Sequence, residues 1–274
     1  MCGWLNVSTS GYYHWRTRPD SATEARRGDL REQITAIFTA SRETYGYRRV
    51  HADLARRGVA CGPELVRHLM SGLSLRACQP RPWRITTISG AGAAPIADHV
   101  QRDFTATAPG VKLVGDITYI TTWEGFCYLS TVIDCHTKAV IGWAIDDHMK
   151  TSLICDSIDM AARNYDLTAG CVFHSDRGTQ YSSKDYREKL TNLGLVSSMG
   201  RTGVCWDNAM AESFFAALKN ELVYRTIFPT RKHARTAIVE YIEVFYNRQR
   251  LHSGLGYNTP EETYQAHLDT QLAA

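Results

Sequence analysis

Three acidic residues, each in a segment that predicts a different element, constrain this chain more than any other feature. Asp116 lies in an apolar run rich in β-branched residues, 113–120, which predicts a strand. Asp176 ends a second apolar run, and Glu212, separated from Asp176 by 35 residues, lies in a segment of helical periodicity. Carboxylates carried by two strands and a helix can converge on one point. The pattern therefore predicts a site for hard divalent cations.

The predicted cations are Mg²⁺ or Mn²⁺, and two ions are expected. Three carboxylates within a few ångströms raise one another's pKa, and a bound cation reverses that effect because it is the largest local charge. Two magnesium ions about 3.5–4 Å apart hold the attacking and leaving oxygens of a phosphodiester in line. Since the chain carries no nucleotide-binding loop, the acids indicate a nuclease or a strand-transfer enzyme. The alternative is that they are ordinary surface charges among 28 acidic residues.

Composition and cysteine usage restrict the setting. The chain has 274 residues, 44% hydrophobic and 22% charged, which is long enough for more than one domain and typical of a globular protein. No apolar stretch is long enough to cross a bilayer, so no membrane partner is expected. Eight cysteines occur without a Cys-x-x-Cys pair, which argues against a structural zinc site and against a disulfide framework. A reducing, intracellular setting is predicted.

The first part of the chain is basic and helical. Residues 1–110 carry 15 arginines, no lysine and 9 acidic residues, a charge balance that favours nucleic acid as a partner. Helical periodicity at 22–40 is followed by two short helical segments joined by a Gly-containing turn, which is compatible with a helix-turn-helix unit. The predicted phosphate contacts in this region are Arg48, Arg49 and Arg67. The alternative is a small helical bundle with a solvated basic face.

A change of pattern predicts the domain organisation. A helical region, 1–84, precedes a linker rich in Gly, Ala and Pro, 85–104. The strand-like runs that follow are 113–122, 126–134, 138–145, 171–175 and 195–199. The first three form a meander and the others alternate with helical segments, which indicates a mixed sheet. We therefore predict an α/β fold, a mixed five-stranded sheet flanked by helices, preceded by a small all-helical region.

The segment that carries Glu212 predicts an amphipathic helix over 206–222, with Asp207 or Asn208 as its N-cap. Its predicted buried stripe is Met210, Phe214, Leu218 and Leu222. A second stripe, predicted to face the substrate, is Asn208, Glu212, Phe215 and Lys219. The predicted DNA contacts here are Asn208, Lys219 and, in the preceding Gly-bearing loop, Arg201. For Lys219 the alternative is a surface charge paired with an acid.

A polar segment near the end of the chain, 246–260, follows a helix predicted at 231–245. Within it, Asn247, Arg250 and His252 are candidates to bind backbone phosphates. The same side chains are equally suited to brace a turn. The sequence leaves these two interpretations open.

Four motifs together carry a resemblance to a known family. They are Gly115–Ile120 (GDITYI), His174–Tyr181 (HSDRGTQY), Cys205–Phe215 (CWDNAMAESFF) and Tyr246–Ser253 (YNRQRLHS). In this order they resemble the catalytic subunit of bacterial insertion-sequence transposases with a retroviral-integrase-like core. In that group the transposase is made from two overlapping frames, and this chain resembles the second-frame product over nearly its whole length.

The resemblance implies the fold, the ligands and the reaction. It implies an RNase H-like core over 105–265, followed by a short tail, 266–274, and metal ligation by Asp116, Asp176 and Glu212. Lys219 resembles a lysine that touches the terminal DNA of the element. Metal-activated water is expected to cleave a phosphodiester and free a 3′-hydroxyl, which then attacks a phosphate of the target strand. No covalent protein–DNA intermediate is needed.

The same resemblance implies the partners and the location. The DNA partners are the ends of the element and the target. The first-frame product, separate or fused to this chain, is expected to supply the main end-recognition domain and a coiled coil. A homo-oligomer on DNA, in the bacterial cytoplasm at the nucleoid, is the expected working form.

Two other functions remain open from the sequence. A metal-dependent nuclease would cut without joining, and an inactive DNA-binding remnant would do neither. Intact Asp116, Asp176 and Glu212 argue against the remnant. A retroviral integrase proper is disfavoured because its zinc-binding amino-terminal module requires a Cys-x-x-Cys pair that this chain lacks.

Overall fold

A computed structural model describes residues 2–78, 97–200 and 208–273 of the protein. The chain divides into two compact units, residues 1–78 and 79–274. Among the described residues, no helix is both long enough and apolar enough to span a bilayer.

The first unit is helical, as predicted. Its helices are α1 (Thr9–Thr17), α2 (Ala22–Ala40), α3 (Tyr47–Arg56) and α4 (Pro63–Gly72). The three- and four-residue spacing of apolar side chains in α2 buries Leu30, Ile34, Ile37 and Phe38. Helices α3 and α4 pack on each other and on α2, so that Val50, Leu54, Val66 and Leu69 complete the core. Helix α1 buries none of its residues.

The second unit contains a five-stranded mixed sheet. Its strands are β1 (Lys112–Thr122), β2 (Gly125–Asp134), β3 (Val140–Asp146), β4 (Val172–Ser175) and β5 (Val196–Met199). Their order across the sheet is β3-β2-β1-β4-β5. The meander β1–β2–β3 is antiparallel, whereas β1 pairs with β4 and β4 with β5 in parallel. The predicted mixed five-stranded sheet is confirmed.

Within residues 97–200 and 208–273, five α-helices follow or interrupt the strands. They are α5 (Thr151–Asn164), α6 (Lys184–Asn192), α7 (Ala209–Glu221), α8 (Arg231–Glu240) and α9 (Pro260–Leu272). The helix predicted at 231–245 stops at Glu240 and continues as a π-helical turn, Tyr241–Tyr246. The core end predicted at residue 265 falls inside α9. The linker predicted at 85–104 lies largely outside the described residues, and the domain boundaries stay predictions.

One face of the sheet packs on α5 and α6. Leu113 of β1 and Phe173 of β4 lie in the same buried cluster as Ile154 and Ile158 of α5. Helix α5 approaches β3 so closely that a Cβ at Gly142 would clash with the Ser157 carbonyl oxygen. The residues that alternate with Leu113 and Phe173 therefore point to the opposite face of the sheet.

A side chain pairs with backbone groups at the free edge of strand β3. The Asn247 amide accepts a hydrogen bond from the Val140 amide N–H at 3.0 Å and donates one to the Val140 carbonyl oxygen at 2.9 Å. It thus takes the place that a further strand would occupy at this position. Of the two interpretations of Asn247, the structure supports the brace.

Candidate active site

Parallel pairing of β1 with β4 brings the first two acids together. The last paired residues of the two strands are Val114 and His174. Asp116 and Asp176 each lie two residues further along, and side chains two residues apart project from the same face of a strand. The two carboxyl groups therefore lie beside each other on the face of the sheet opposite α5 and α6.

Helix α7 contacts β1 and supplies the third acid, Glu212. Desolvation, followed by the negative charges of Asp176 and Glu212, raises the pKa of the half-buried Asp116 carboxyl group to about 8. A hydrogen bond from the Ile117 amide N–H at 2.7 Å and the positive charge of Lys219 act in the opposite direction. The three predicted ligands and Lys219 therefore share one electrostatic environment.

The other two acids respond to their surroundings in a different way. Desolvation raises the pKa of Asp176 and of Glu212, and at Asp176 a hydrogen bond from the Gly178 amide N–H and the charge of His174 act in the opposite direction. Asp176 and Glu212 are nevertheless exposed, so water reaches the site although protein surrounds it.

The three acids do not form a tight cluster. One oxygen from each does not fall within 4.8 Å of the other two, a closeness that, within 2–78, 97–200 and 208–273, only Asp146, Asp147 and His148 reach. The latter group lies at the end of β3 and was not predicted from the sequence. It is largely exposed, and Arg231 lies 3.9 Å from Asp147.

Gly115, directly before Asp116 on β1, allows the strand to pack closely on the aromatic core. A Cβ there would lie 2.5 Å from Cζ of Phe173 and 3.6 Å from the Tyr181 hydroxyl oxygen. Both rings are fully buried. Only glycine allows the strand to lie this close to the core, and this closeness sets the position of Asp116.

Asn208 is the N-cap residue of α7, without a capping hydrogen bond from its side chain. It is buried, and its Nδ2 donates to the Gly115 carbonyl oxygen at 3.4 Å. The side chain points into the protein, and the DNA contact predicted at this residue stays a prediction. The side chain ties the start of the helix that carries Glu212 to the residue before Asp116.

The face that α7 buries differs from the predicted stripe. The buried residues are Ala211, Phe214, Phe215, Leu218 and Glu221, so Phe215 was wrongly assigned to the substrate face and Met210 and Leu222 are only half-buried. The buried face of α7 therefore follows spacings of three and four residues, whereas the predicted stripe used a spacing of four throughout. Glu212 remains outside it, as predicted.

Lys219 lies between the acids and an open cleft of about 420 Å³. Its Nζ is 5.6 Å from the centre of the Tyr119 ring. Trp123 and Tyr224 also line this cleft. None of these three aromatic residues was predicted from the sequence, although Tyr119 in the strand-like run and Trp123 directly after it were a usable signal.

Arg250 lies in a buried ion pair with Glu221. Its Nε and Nη2 donate to both oxygens of Glu221 at 2.8 and 2.7 Å, and both side chains are more than nine-tenths buried. The guanidinium group neutralises a buried acid, and the DNA contact predicted at Arg250 stays a prediction. His252, half-buried, has Nε2 at 3.2 Å from Nη1 of Arg250, so it belongs to the same brace.

The predicted arginine contacts of the first unit lie on α3 and α4. Arg48 is exposed, Arg49 is half-buried beside the Tyr45 ring, and Arg67 is exposed in an ion pair with Glu64 at 2.7 Å. An exposed pair of this kind contributes about 0–1 kcal/mol and can exchange Glu64 for another anion. Arg201 lies outside the described residues.

Comparison with known proteins agrees with this geometry. Two families described as integrase core domain match residues 106–205 and 193–260, and an HTH-like domain family matches residues 25–83. The subunit of a simian T-cell lymphotropic virus intasome, solved with PP2A regulatory subunit B56 gamma, shares the fold. Its TM-score is 0.50 at 15% identity, over 80% of this chain and 74% of that one. Fold and site thus define an integrase-core protein with an RNase H-like fold.

Two full-length relatives identify the family. An uncharacterized 31 kDa protein of insertion element IS600 from Shigella sonnei is 39% identical over 260 residues, which cover 95% of this chain and 96% of that protein. Transposase InsF for insertion sequence IS3A from Escherichia coli strain K12 is 36% identical over 265 residues, covering 96% and 92%. The chain belongs to this family of insertion-sequence transposases with an integrase core.

Proposed function

We propose that this transposase cuts a phosphodiester at the ends of its element and joins the freed 3′-hydroxyl to target DNA, with Asp116, Asp176 and Glu212 as metal ligands. The observation that carries the proposal is that Asp116, on β1, and Asp176, directly after the parallel strand β4, lie close enough to interact electrostatically, with Glu212 also within electrostatic reach. Three elements from distant parts of the chain thereby present carboxylates to one region.

The residues fit a divalent cation. The ligands are oxygens only, which Mg²⁺ and Mn²⁺ prefer. Desolvation and mutual repulsion raise the pKa of Asp116 to about 8, and a nearby cation relieves this repulsion. Because their oxygens are spread over more than 4.8 Å, at least one of the three side chains turns when they share an ion. When bound, one or two ions lower the pKa of water and stabilise charge on the attacking and leaving oxygens.

The chain's own residues orient the DNA. Lys219, two turns beyond Glu212 on α7, presents its ammonium group toward the acids and toward the open cleft. A phosphate beside the acids would pair with it. Because the sheet, Gly115 and Asn208 fix the two strands and the helix relative to one another, the phosphate would be bound by a rigid frame.

The partners follow from the family. The InsF relative is a transposase for an insertion sequence and the other relative is a protein of an insertion element, so element ends and target DNA are the proposed substrates. The HTH-like region at 25–83 is the second proposed DNA contact. A first-frame product, separate or fused, and a homo-oligomer on DNA complete the proposed assembly, and its proposed location is the bacterial cytoplasm, at the nucleoid.

A strand-transfer assay tests the proposal. The full chain, alone and with the first-frame product, is mixed with labelled oligonucleotides of the inverted repeats, a supercoiled target and Mg²⁺. Joined products that disappear when EDTA replaces Mg²⁺ are expected. Shortened strands without joining would assign a nuclease, and binding without either product would assign an inactive DNA-binding remnant.

A further inference from the structure

The cleft beside Lys219 is built from exposed aromatic side chains. Tyr119, Trp123 and Tyr224 line it with 57, 76 and 54% of their surfaces exposed. Several exposed apolar side chains in one place mark a ligand groove or an interaction site, and each ring can bury 150–250 Å² on binding. This volume of about 420 Å³ falls within the range of small-ligand sites.

The walls of the cleft are held in place before any ligand arrives. Trp123 lies in the two-residue turn between β1 and β2, and its amide N–H donates to the Phe228 carbonyl oxygen at 3.1 Å. Arg231, at the start of α8, donates from Nε to the Phe126 carbonyl oxygen, and its amide N–H donates to Glu124. The hairpin and the 226–228 segment therefore form one preorganised surface.

The chemistry of the lining indicates an anionic ligand with a flat ring. None of the ten described residues that line the cleft is acidic, and Lys219 supplies a cation. Three threonines, Thr121, Thr122 and Thr226, interrupt the apolar lining, which distinguishes it from a continuous apolar patch for another protein surface. Aromatic faces with a neighbouring cation are how proteins bind the bases and phosphates of unpaired nucleic acid.

The cleft also lies at a suitable distance from the acids. Tyr119 follows Asp116 on β1 by three residues, and Trp123 follows it by seven, in the turn after the strand, or about 10 and 23 Å at the rise of a strand. Because three residues separate Asp116 from Tyr119, their side chains project from opposite faces of β1, and Lys219, whose Nζ is 5.6 Å from the Tyr119 ring, connects the cleft to the acids. Lys219 lines the cleft and also acts electrostatically on Asp116. A DNA strand whose phosphate lies beside the acids would thus carry its next few nucleotides along this cleft.

We propose that the cleft binds the base of an unpaired nucleotide, a few positions from the phosphate that is cut, by stacking on Trp123 and Tyr224, while Lys219 contacts the DNA backbone between the base and the acids. The proposal rests on the function proposed above. Bases in a paired duplex are stacked on one another, so the cleft selects DNA ends whose last pairs are open. Holding one base out of the duplex would keep the end open while it reacts.

The test measures binding in EDTA, so that it does not depend on catalysis. Duplexes of the element end carry terminal positions that are either paired or mismatched, with 2-aminopurine among the unpaired bases. Native protein should bind the open end more tightly and quench the 2-aminopurine fluorescence. Trp123→Ala and Tyr224→Ala should each weaken binding to the open end about tenfold, without changing binding to the paired end.

The matched control is Trp15→Ala, which removes a tryptophan of nearly equal exposure, 72%, from helix α1. It should leave the preference for open ends intact, and Trp123→Phe should retain the quenching. Equal weakening for paired and open ends, or no change at all, would overturn the proposal. So would a shift in sedimentation caused by Trp123→Ala without loss of that preference, because the cleft would then be an interface between two copies.

The outcome is separable from that of the strand-transfer assay. Quenching that depends on Trp123 supports the cleft even if no joined product forms. Joined products formed by a protein that shows no quenching would support the reaction and refute the cleft.

Discussion

Helix α7 carries two glutamates in opposite situations. Glu212 lies near its first turn, is exposed, and adds negative charge to the surroundings of Asp116. Glu221, nine residues or about 13 Å further along the axis, is buried and accepts hydrogen bonds from Arg250 and from the Tyr241 hydroxyl at 2.8 Å. At one end of the helix a glutamate thus adds to the negative charge around Asp116. At the other end a glutamate is neutralised by Arg250.

The difference distinguishes a site that can bind a ligand, around Asp116 and Glu212, from a structural ion pair, at Glu221. A buried carboxylate is tolerated when a cation and a hydroxyl inside the protein neutralise it, and Glu221 has both. The pKa of Asp116 is raised first by desolvation and then by the charges of Asp176 and Glu212, against which, among the described residues, Lys219 supplies an opposing charge. An imbalance that the protein does not correct internally indicates a ligand from outside, here a divalent cation.

Removing a ligand of the proposed metal site should have the largest effect. Asp116→Asn, Asp176→Asn and Glu212→Gln should each reduce cleavage and joining by about 10³-fold or more, because metal stabilisation of the transition state is worth several kcal/mol. The rates are measured on labelled element ends in Mg²⁺. Circular dichroism should show an unchanged fold, and joining at the native rate by any of the three would contradict the assignment.

Breaking the buried ion pair between Arg250 and Glu221, at the other end of α7, should lower the stability of the fold rather than act on catalysis directly. Arg250→Ala leaves Glu221 buried without its cation and should cost about 3–5 kcal/mol in the free energy of unfolding, measured by urea denaturation. The matched control is Arg250→Met combined with Glu221→Gln, which removes both charges and should be much less destabilising. If the single and the double variant were equally unstable, the charge argument would fail.

The raised pKa of Asp116 should make the free energy of unfolding depend on pH. Its folded pKa, about 8, lies above the unfolded value of 3.8, so stability from this group is full below pH 4 and is lost as pH rises toward 8. In EDTA at pH 8, Asp116→Asn should therefore raise the free energy of unfolding by about 1–3 kcal/mol, a value reduced for partial exposure.

Two comparisons control this prediction. Asp156→Asn, at an exposed acid of α5, should leave the pH dependence unchanged. Mg²⁺ at pH 8 should stabilise the native chain more than the Asp116→Asn variant. If the free energy of unfolding of the native chain did not fall between pH 4 and pH 8, the folded state would not raise the pKa of Asp116.

The smallest expected effect concerns Lys219. Lys219→Ala should weaken binding to element ends about three- to tenfold and reduce the salt dependence of binding by roughly one charge, as measured by titration at several salt concentrations. Lys232→Ala, at an exposed lysine of α8, is the matched control. An equal loss for the two variants would mean that Lys219 contributes only general positive charge.

The elements were largely predictable because they depend on local pattern. The apolar spacing in α2 predicted its bounds, and the five strand-like runs match β1 to β5 within two residues at each end. The parallel pairing of β1 with β4 could not be read from these runs. It depends on which strands meet across the sheet, and the same pairing sets Asp116 beside Asp176.

The chain by itself determined the types of element, the acids they carry and, through its motifs, the family to which it belongs. Tertiary structure alone decided which polar side chains face a ligand. Arg250 looked available to DNA because its partner Glu221 lies 29 residues earlier, and Asn208 looked exposed because the carbonyl it meets belongs to Gly115. A side chain's charge and hydrogen-bonding capacity are fixed by its type, whereas the groups that satisfy them are brought to it only by packing between distant segments.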